Sequence, residues 1–158
     1  MAKSKDSKNF QPTISNKKAT FEFAVLEQYE AGIVLTGTEI KSVREGKVQF
    51  TDAYCLFKAD GLYLMEMHIS PYDFGSVNNA DPRRERKLLL KKREMTKLKE
   101  KSEEKGLTII PMKLFFSERN FAKVQIALAK GKKLFDKRAD IKDKDTDRIV
   151  KRELSDLE

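Results

Sequence analysis

Apolar and polar positions alternate with two different periods along the chain, and the switches between them outline its elements. After Asn16, the residues Ala19, Phe23 and Leu26 recur at helical spacing, flanked by Val25 and Tyr29. They predict a short helix closing near Ala31-Gly32. Gly32 to Leu35 is a brief β-rich run that Gly37 breaks. Ile40 and Val43 then fall on one side of a second short helix, with Thr38 as its expected cap and Gly46 as its end. Residues 48–69 predict a hairpin. Val48-Gln49-Phe50 leads into Tyr54-Cys55-Leu56-Phe57, Asp60-Gly61 makes the turn, and Leu62-Tyr63-Leu64-Met65 returns. Imperfect alternation in both arms points to strands buried to some degree on both sides. Ser70 to Pro82 is a loop by composition.

Arg83 to Lys105 contains neither Pro nor Gly and predicts one basic helix, closed by Gly106. On it, Leu88, Met95 and Leu98 form a narrow docking strip. Arg86, Arg93, Lys97 and Lys101 lie opposite, with Leu90 among them. Two readings stand: a solvated face stitched by i,i+4 charge pairs, or a phosphate-facing helix whose Leu90 meets a base or sugar. Leu107 to Phe116 and Phe121 to Lys130 predict a second hairpin, turned at Glu118-Arg119-Asn120. In its return arm Ala122, Val124, Ile126 and Leu128 share one face, and Phe121, Lys123, Gln125 and Ala127 the other. That second face reads as half-solvated, and it equally suits a sheet offering Lys123 to an RNA backbone.

Four to six short strands with helices between them make the fold class mainly β with short helices. The expected architecture is a small, partly closed β-barrel with flanking helices, an α+β sandwich being the alternative. After Lys130 the pattern fails: Ile141, Val150 and Leu154 make no core-grade stripe. Without burial, the flexible C-terminal tail, 131–158, should be disordered when free. The Lys- and Ser-rich residues 1–12 should be flexible too, which leaves 13–130 as one folded domain.

Charge narrows the function. The 158 residues hold 33 Lys+Arg against 25 Asp+Glu, a net +8 that favours an anionic partner. Residues 21–82 carry ten acids against four bases, whereas 83–105 carry eleven bases against five acids. That segregation suits electrostatic focusing. The single Cys55 excludes an internal disulfide, fits a reducing cytoplasm and reads as a core residue. One His and one Cys leave no soft-metal site, and no cofactor is expected. Neither a signal peptide nor a membrane span is expected, so the predicted location is cytoplasmic. His68 reads as a sheet residue, and motifs for nucleotide binding, zinc proteolysis or acyl transfer are absent. An enzyme with a small-molecule substrate is thus disfavoured. A membrane-surface protein using 83–105 fails on the thin apolar strip. In Lys132-Lys133-Leu134-Phe135-Asp136-Lys137-Arg138, Phe135 either stacks on a base between phosphate-holding cations or anchors on the protein's own barrel. No helix-turn-helix, finger or zipper is present, so RNA is favoured over DNA.

Six motifs in order carry a resemblance. They are Asn16-Lys17-Lys18-Ala19, Tyr29-Glu30-Ala31-Gly32-Ile33-Val34-Leu35, Gly37-Thr38-Glu39-Ile40-Lys41-Ser42-Val43-Arg44, Arg86-Lys87-Leu88-Leu89-Leu90, Lys130-Gly131-Lys132-Lys133 and Asp136-Lys137-Arg138. Over roughly residues 10 to 154 the chain resembles the SsrA-binding protein family, the small bacterial partners of transfer-messenger RNA (tmRNA) in trans-translation. The resemblance implies an oligonucleotide-binding-type barrel that grips the tRNA-like domain of tmRNA, with Asn16, Lys17, Lys18, Glu30, Leu90 and Lys123 at or near the RNA. It implies that the tail becomes helical in the empty mRNA channel of a stalled ribosome. There Phe135, a His in some relatives, would stack near the decoding centre of the small-subunit rRNA. Lys137, Arg138, Lys142, Lys144, Arg148, Lys151, Arg152 and Leu154 would line the channel. Asp143, Asp145 and Asp147 dilute the tail's positive charge. Elongation factor Tu would be an indirect partner on the same tmRNA. The runner-up is a constitutive ribosomal or initiation-type barrel protein without a tmRNA partner.

Overall fold

The computed structural model describes residues 11–75, 77, 79–104, 106–132 and 134–156. A two-residue strand, β1 (Ile14–Ser15), leads to Asn16, which starts helix α1 (Lys17–Glu22). The Asn16 side chain accepts from the Ala19 amide at 3.3 Å and donates to the Pro111 carbonyl at 2.9 Å. One residue thus caps the helix and ties it to the sheet. The helix predicted to reach Ala31 stops at Glu22, and Phe23–Ile33 is strand β2. Leu26, counted on the helical stripe, is exposed and sits in a bulge between Val25 and Glu27. The bulge reverses the strand's faces: Phe23 and Val25 pack under α1, while Tyr29 and Ala31 face the barrel core.

Helix α2 (Gly37–Arg44) is capped by Thr36, two residues earlier than expected. The Thr36 hydroxyl accepts from the Glu39 amide at 3.3 Å, and the Glu39 carboxylate accepts from the Thr36 amide at 3.0 Å. Gly37, read as a breaker, is the first helical residue, and Gly46 closes the helix at φ +75°. Strands β3 (Val48–Gln49), β4 (Tyr54–Lys58), β5 (Gly61–Met65) and β6 (His68–Ile69) follow, with β4 and β5 paired as the predicted hairpin. Glu66, at φ +58°, ends β5, so His68 pairs with Gln49 in a separate β3–β6 ribbon.

The expected basic helix divides. Arg86–Leu89 is strand β7, and only Lys92–Ser102 is helix, α3. Leu88 pairs with Leu62 on one side and Ile33 on the other, and is fully buried. Completing that ladder outweighs helix propensities of at most about 0.7 kcal/mol per residue. Leu88, Met95 and Leu98 therefore never form one strip. Strands β8 (Leu107–Phe116) and β9 (Ala122–Gly131) form the second predicted hairpin, turned where Asn120 sits at φ +65°.

The strands close into a ring in the order β8-β4-β5-β7-β2-β9 and back to β8, with β1 also pairing on β8. This is a mainly antiparallel β-barrel with flanking helices, as the sequence predicts. Leu62, Leu64, Leu88, Leu114, Val124, Ile126 and Leu128 fill it, and Val43 of α2 and Leu98 of α3 join the same core. Cys55 is buried there, where desolvation pushes its thiol pKa up. Outside the wall Ala19 of α1 covers Ile110, Ala127 and Ala129. The second face of β9 is therefore solvated only toward Lys123 and Gln125.

Residues 134–156 form one helix, α4 (Leu134–Asp156), where the sequence reading expects no order in the free chain. The segment lacks Gly and Pro and carries mixed charge, which leaves its backbone helix-competent. The Lys144 ammonium lies 5.7 Å from the ring of Phe21 in α1. Of the N-terminal segment expected to be flexible, residues 1–10 lie outside the described residues.

Candidate nucleic-acid interface

Residues opposite one another in a sheet share a face, so register alone assembles a site on the barrel wall. Leu89 of β7 pairs with Gly32 of β2, Gly32 with Lys123 of β9, and Lys123 with Phe115 of β8. Four adjacent strands thereby present a row about 14 Å across. Leu89 is 54% exposed and leans over the bare backbone at Gly32, where an added Cβ would lie 3.4 Å from the Leu89 Cβ. The next row holds Glu30, Gln125 and Lys113. The Lys113 ammonium lies 5.3 Å from the Phe115 ring, and Gln125 Nε2 donates to Gln28 Oε1 at 2.8 Å. Phe121, 65% exposed, stands where β9 begins. Aromatic faces beside cations, with amide and carboxylate acceptors between them, match what bases, ribose hydroxyls and phosphates require.

Glu30 and Lys123 lie on this wall. Leu90 does not: it is half-buried and packs against the core, while the strand's alternation gives the exposed position to Leu89. The remaining candidates gather at the other end of β2 and β9. Phe23 pairs with Gly131 there, nine residues or about 30 Å of strand from the Gly32–Lys123 pair. Asn16 is engaged in its cap, and Lys17 and Lys18 are exposed. The Lys18 ammonium lies 3.8 Å from Glu22 and 4.0 Å from Asp52. Lys132 donates its amide to the Glu22 carbonyl at 2.9 Å and its ammonium to the Thr20 carbonyl at 3.1 Å, so it closes the end of α1. Lys133 lies outside the described residues. Arg93 is exposed in the first turn of α3, beside Lys92, Thr96 and Lys97.

Arg86 leaves the interface. On a helix it would share a face with Arg93, but on β7 it points inward and is 0% exposed. Its Nε donates to the Glu39 carboxylate at 2.5 Å, and its terminal nitrogens donate to the carbonyls of Met67, Arg84 and Pro82 at 2.7–3.0 Å. Arg84 donates to the other Glu39 oxygen at 2.6 Å. Burial works to raise the Glu39 pKa, but the hydrogen bonds from Arg84 and Thr36 and the charge of Arg86 hold it below the usual range. Desolvation also lowers the Arg86 pKa. This cluster ties α2 to the start of β7. A second tie fixes α3: Lys101 and Tyr29 donate to the Glu27 carboxylate and lower its pKa, and burial with that bond pushes Tyr29 up to about 12.

On α4, Arg138, Lys142, Lys144, Arg148, Lys151 and Arg152 are exposed. Phe135, Lys137 and Leu154 belong to its backbone, and their side chains lie outside the described residues. Sequence reasoning missed Leu89, Phe115, Lys113 and Gln28, because only the β7–β2–β9–β8 pairing sets them on one face with Lys123 and Gln125.

The family model described as SmpB protein matches residues 13–156. An SsrA-binding protein of Cytophaga hutchinsonii is 58% identical over 139 residues, covering 88% of this chain and 91% of that protein. One of Thermus thermophilus is 48% identical over 146 residues, covering 92% and 99%. A solved chain described under "tmRNA-SmpB: a journey to the center of the bacterial ribosome" has a TM-score of 0.67 and 51% identity, covering 78% of this chain and 86% of that one.

Proposed function

The chain belongs to the SmpB protein family, and from that premise we propose that it is an RNA-binding ribosome-rescue factor that brings tmRNA to stalled ribosomes. The observation that carries its RNA side is the uncovered row Leu89–Gly32–Lys123–Phe115. Leu89, lying over Gly32, offers an apolar contact to a base or sugar, Lys123 meets phosphate, and Glu30 accepts from base edges or ribose hydroxyls. Lys17 and Lys18 extend the contact at the α1 end, and Arg93 extends it from α3.

In the same reading the tail senses the ribosome. Helix α4 has 23 residues and is about 34 Å long. It enters the mRNA channel of the small subunit only when no message occupies it, with Phe135 near the decoding centre and its basic residues against rRNA. Elongation factor Tu meets the protein indirectly, on the shared tmRNA. No helix among the described residues is long and apolar enough to cross a membrane. Its workplace is the cytoplasm.

A pull-down of the tagged chain from bacterial lysate, with the bound RNA sequenced, should enrich tmRNA over bulk tRNA. Stoichiometric rRNA without tmRNA would reject the proposal. For the wall, Lys123→Gln should lower the slope of log affinity against log salt by about 1. Leu89→Asp should weaken tmRNA binding with an unchanged melting temperature. Wild-type affinity in both variants would remove this row from the interface. Leu90→Asp should lower the melting temperature itself, because Leu90 packs on the core.

A further inference from the structure

Strands β4 and β8 meet through a single register pair, Cys55 with Ile109, and α1 covers Ile110 from outside that seam. Between α1 and the turn Phe50–Ala53 lies a cleft of about 220 Å³. Its floor is apolar: Ala19, Phe50 and Ile110 are buried, and Phe23 and Tyr54 add ring surface. Its mouth is charged, with Lys18, Glu22 and Asp52. The Lys18 ammonium stands 3.8 Å from Glu22 and 4.0 Å from Asp52, beyond hydrogen-bond distance of both. Two carboxylates thus keep unfilled acceptor positions at the rim of an apolar cleft. Asp52 is held there against backbone preference. The Ala53 amide donates to the Phe50 carbonyl at 2.9 Å, which puts Asp52 third in a tight turn, at φ +60°. Glycine takes that conformation without strain, yet the chain keeps a carboxylate.

A second cleft of about 260 Å³ shares Asn16, Lys18 and Phe50 with the first, so the groove continues past the start of α1. Lys17, Gln49 and Thr51 line it with Lys18, and no carboxylate does. Lys17 makes no ion pair among the described residues. The groove therefore offers acceptors over an apolar floor, then cations among polar groups. A nucleotide matches both halves, since its base brings donors and its flanking phosphates bring anions. An arginine side chain would suit the first cleft alone and would be repelled by Lys17 and Lys18.

Size and chemistry choose the base. An apolar cavity of about 150 Å³ holds a benzene ring, so the larger cleft admits a two-ring purine. Guanine presents two adjacent donors, N1–H and N2–H, and a carboxylate, which only accepts, takes both. Adenine and cytosine set an acceptor beside the amino group, and uracil has carbonyls on both sides of its one N–H. We infer that the cleft between α1 and the Phe50–Ala53 turn takes one unpaired guanine of tmRNA, Asp52 and Glu22 accepting from its Watson–Crick edge. The inference rests on the tmRNA-binding reading above and adds base selection to the contact of Lys17 and Lys18. Those two lysines line the second cleft, so the RNA they hold is the RNA that fills the first. The Gly32–Lys123 row, about 30 Å away along β2, uses none of these residues.

The test uses the full-length chain and transcribed tmRNA. Kethoxal, which reacts with guanine N1 and N2, reports which unpaired guanines the protein covers, and a gel shift gives the affinity. The wild-type chain should protect one such guanine. Asp52→Gly suits the turn, so its melting temperature should stay near that of the wild type. The variant should expose that guanine again and weaken tmRNA binding by about 10- to 100-fold, the range of a hydrogen bond to a charged acceptor. The direction is decisive, because an acid that only repels phosphate gives tighter binding when removed. Unchanged or tighter binding of Asp52→Gly would overturn the inference, and so would protection that persists in the variant. Changing the protected guanine to adenine should cost the wild type a similar factor and cost Asp52→Gly little more. Fully additive losses would separate the two groups and overturn their contact. Asp52-dependent protection found only on guanines of isolated small subunits would mean a ribosomal occupant, which also overturns it. A wild-type chain with no affinity for tmRNA strikes the rescue proposal, and this inference falls with it. Binding without an Asp52-dependent guanine strikes the cleft alone.

Discussion

Arg86→Ala should lower the unfolding free energy by about 3–5 kcal/mol, the usual result of removing one partner from a buried ion pair. The change leaves the Glu39 carboxylate, 5% exposed, with Arg84 as its remaining cation, and strips a donor from the carbonyls of Met67, Arg84 and Pro82. For a chain of this size the melting temperature should fall by about 6–20 °C. Arg86→Lys should recover little of it, because an ammonium cannot place three forked contacts at once. The same cluster sets a pH dependence. The folded-state pKa of Glu39 is depressed, so its stabilisation is present above the unfolded carboxylate value and is lost as pH falls through the folded one. Glu39→Gln should therefore flatten the acid limb of the stability profile. Urea unfolding of wild type and the variants from neutral pH downward reads both effects. A loss under about 1 kcal/mol for Arg86→Ala would show that the cluster is not what holds α2 to the barrel.

Truncation after Lys132 should leave tmRNA affinity near wild type and abolish tagging of stalled chains. The cut falls directly after Lys132 and keeps its bonds to Glu22 and Thr20, so α1 and the barrel wall stay intact. Losing a tethered second contact lowers avidity for the ribosome by about 10²- to 10⁴-fold without touching the first. A tagging reaction run beside a tmRNA gel shift separates the two. Joint loss of tagging and tmRNA binding would refute a division of labour between barrel and tail. Retained tagging would remove the channel-sensing role from α4.

Much of this was legible without coordinates. The β8–β9 hairpin was, because period-two alternation from Ala122 to Leu128 and a turn at Glu118-Arg119-Asn120 are local signals. So was the β4–β5 hairpin around Asp60-Gly61. The six ordered motifs were enough to mark the family resemblance. Lys123 could be placed on an outer strand face by counting residues. The basic segment 83–105 could not be divided by counting. Its composition favours helix throughout, and only Leu62 and Ile33, distant in sequence, make Leu88 a strand residue.

The sequence by itself thus determined the element types wherever a segment's own period and turn residues agree, together with the charge that points to RNA and the family. Tertiary structure alone decided which face each side chain takes. A bulge at Leu26 turns one strand over, and pairing with β5 and β2 turns another. Those choices bury Arg86 against Glu39, move exposure from Leu90 to Leu89 and assemble the row with Gly32, Lys123 and Phe115. The physical reason is that a strand gains its stability from partners far along the chain. A shift of one residue exchanges its core for its surface, and no local pattern encodes that shift.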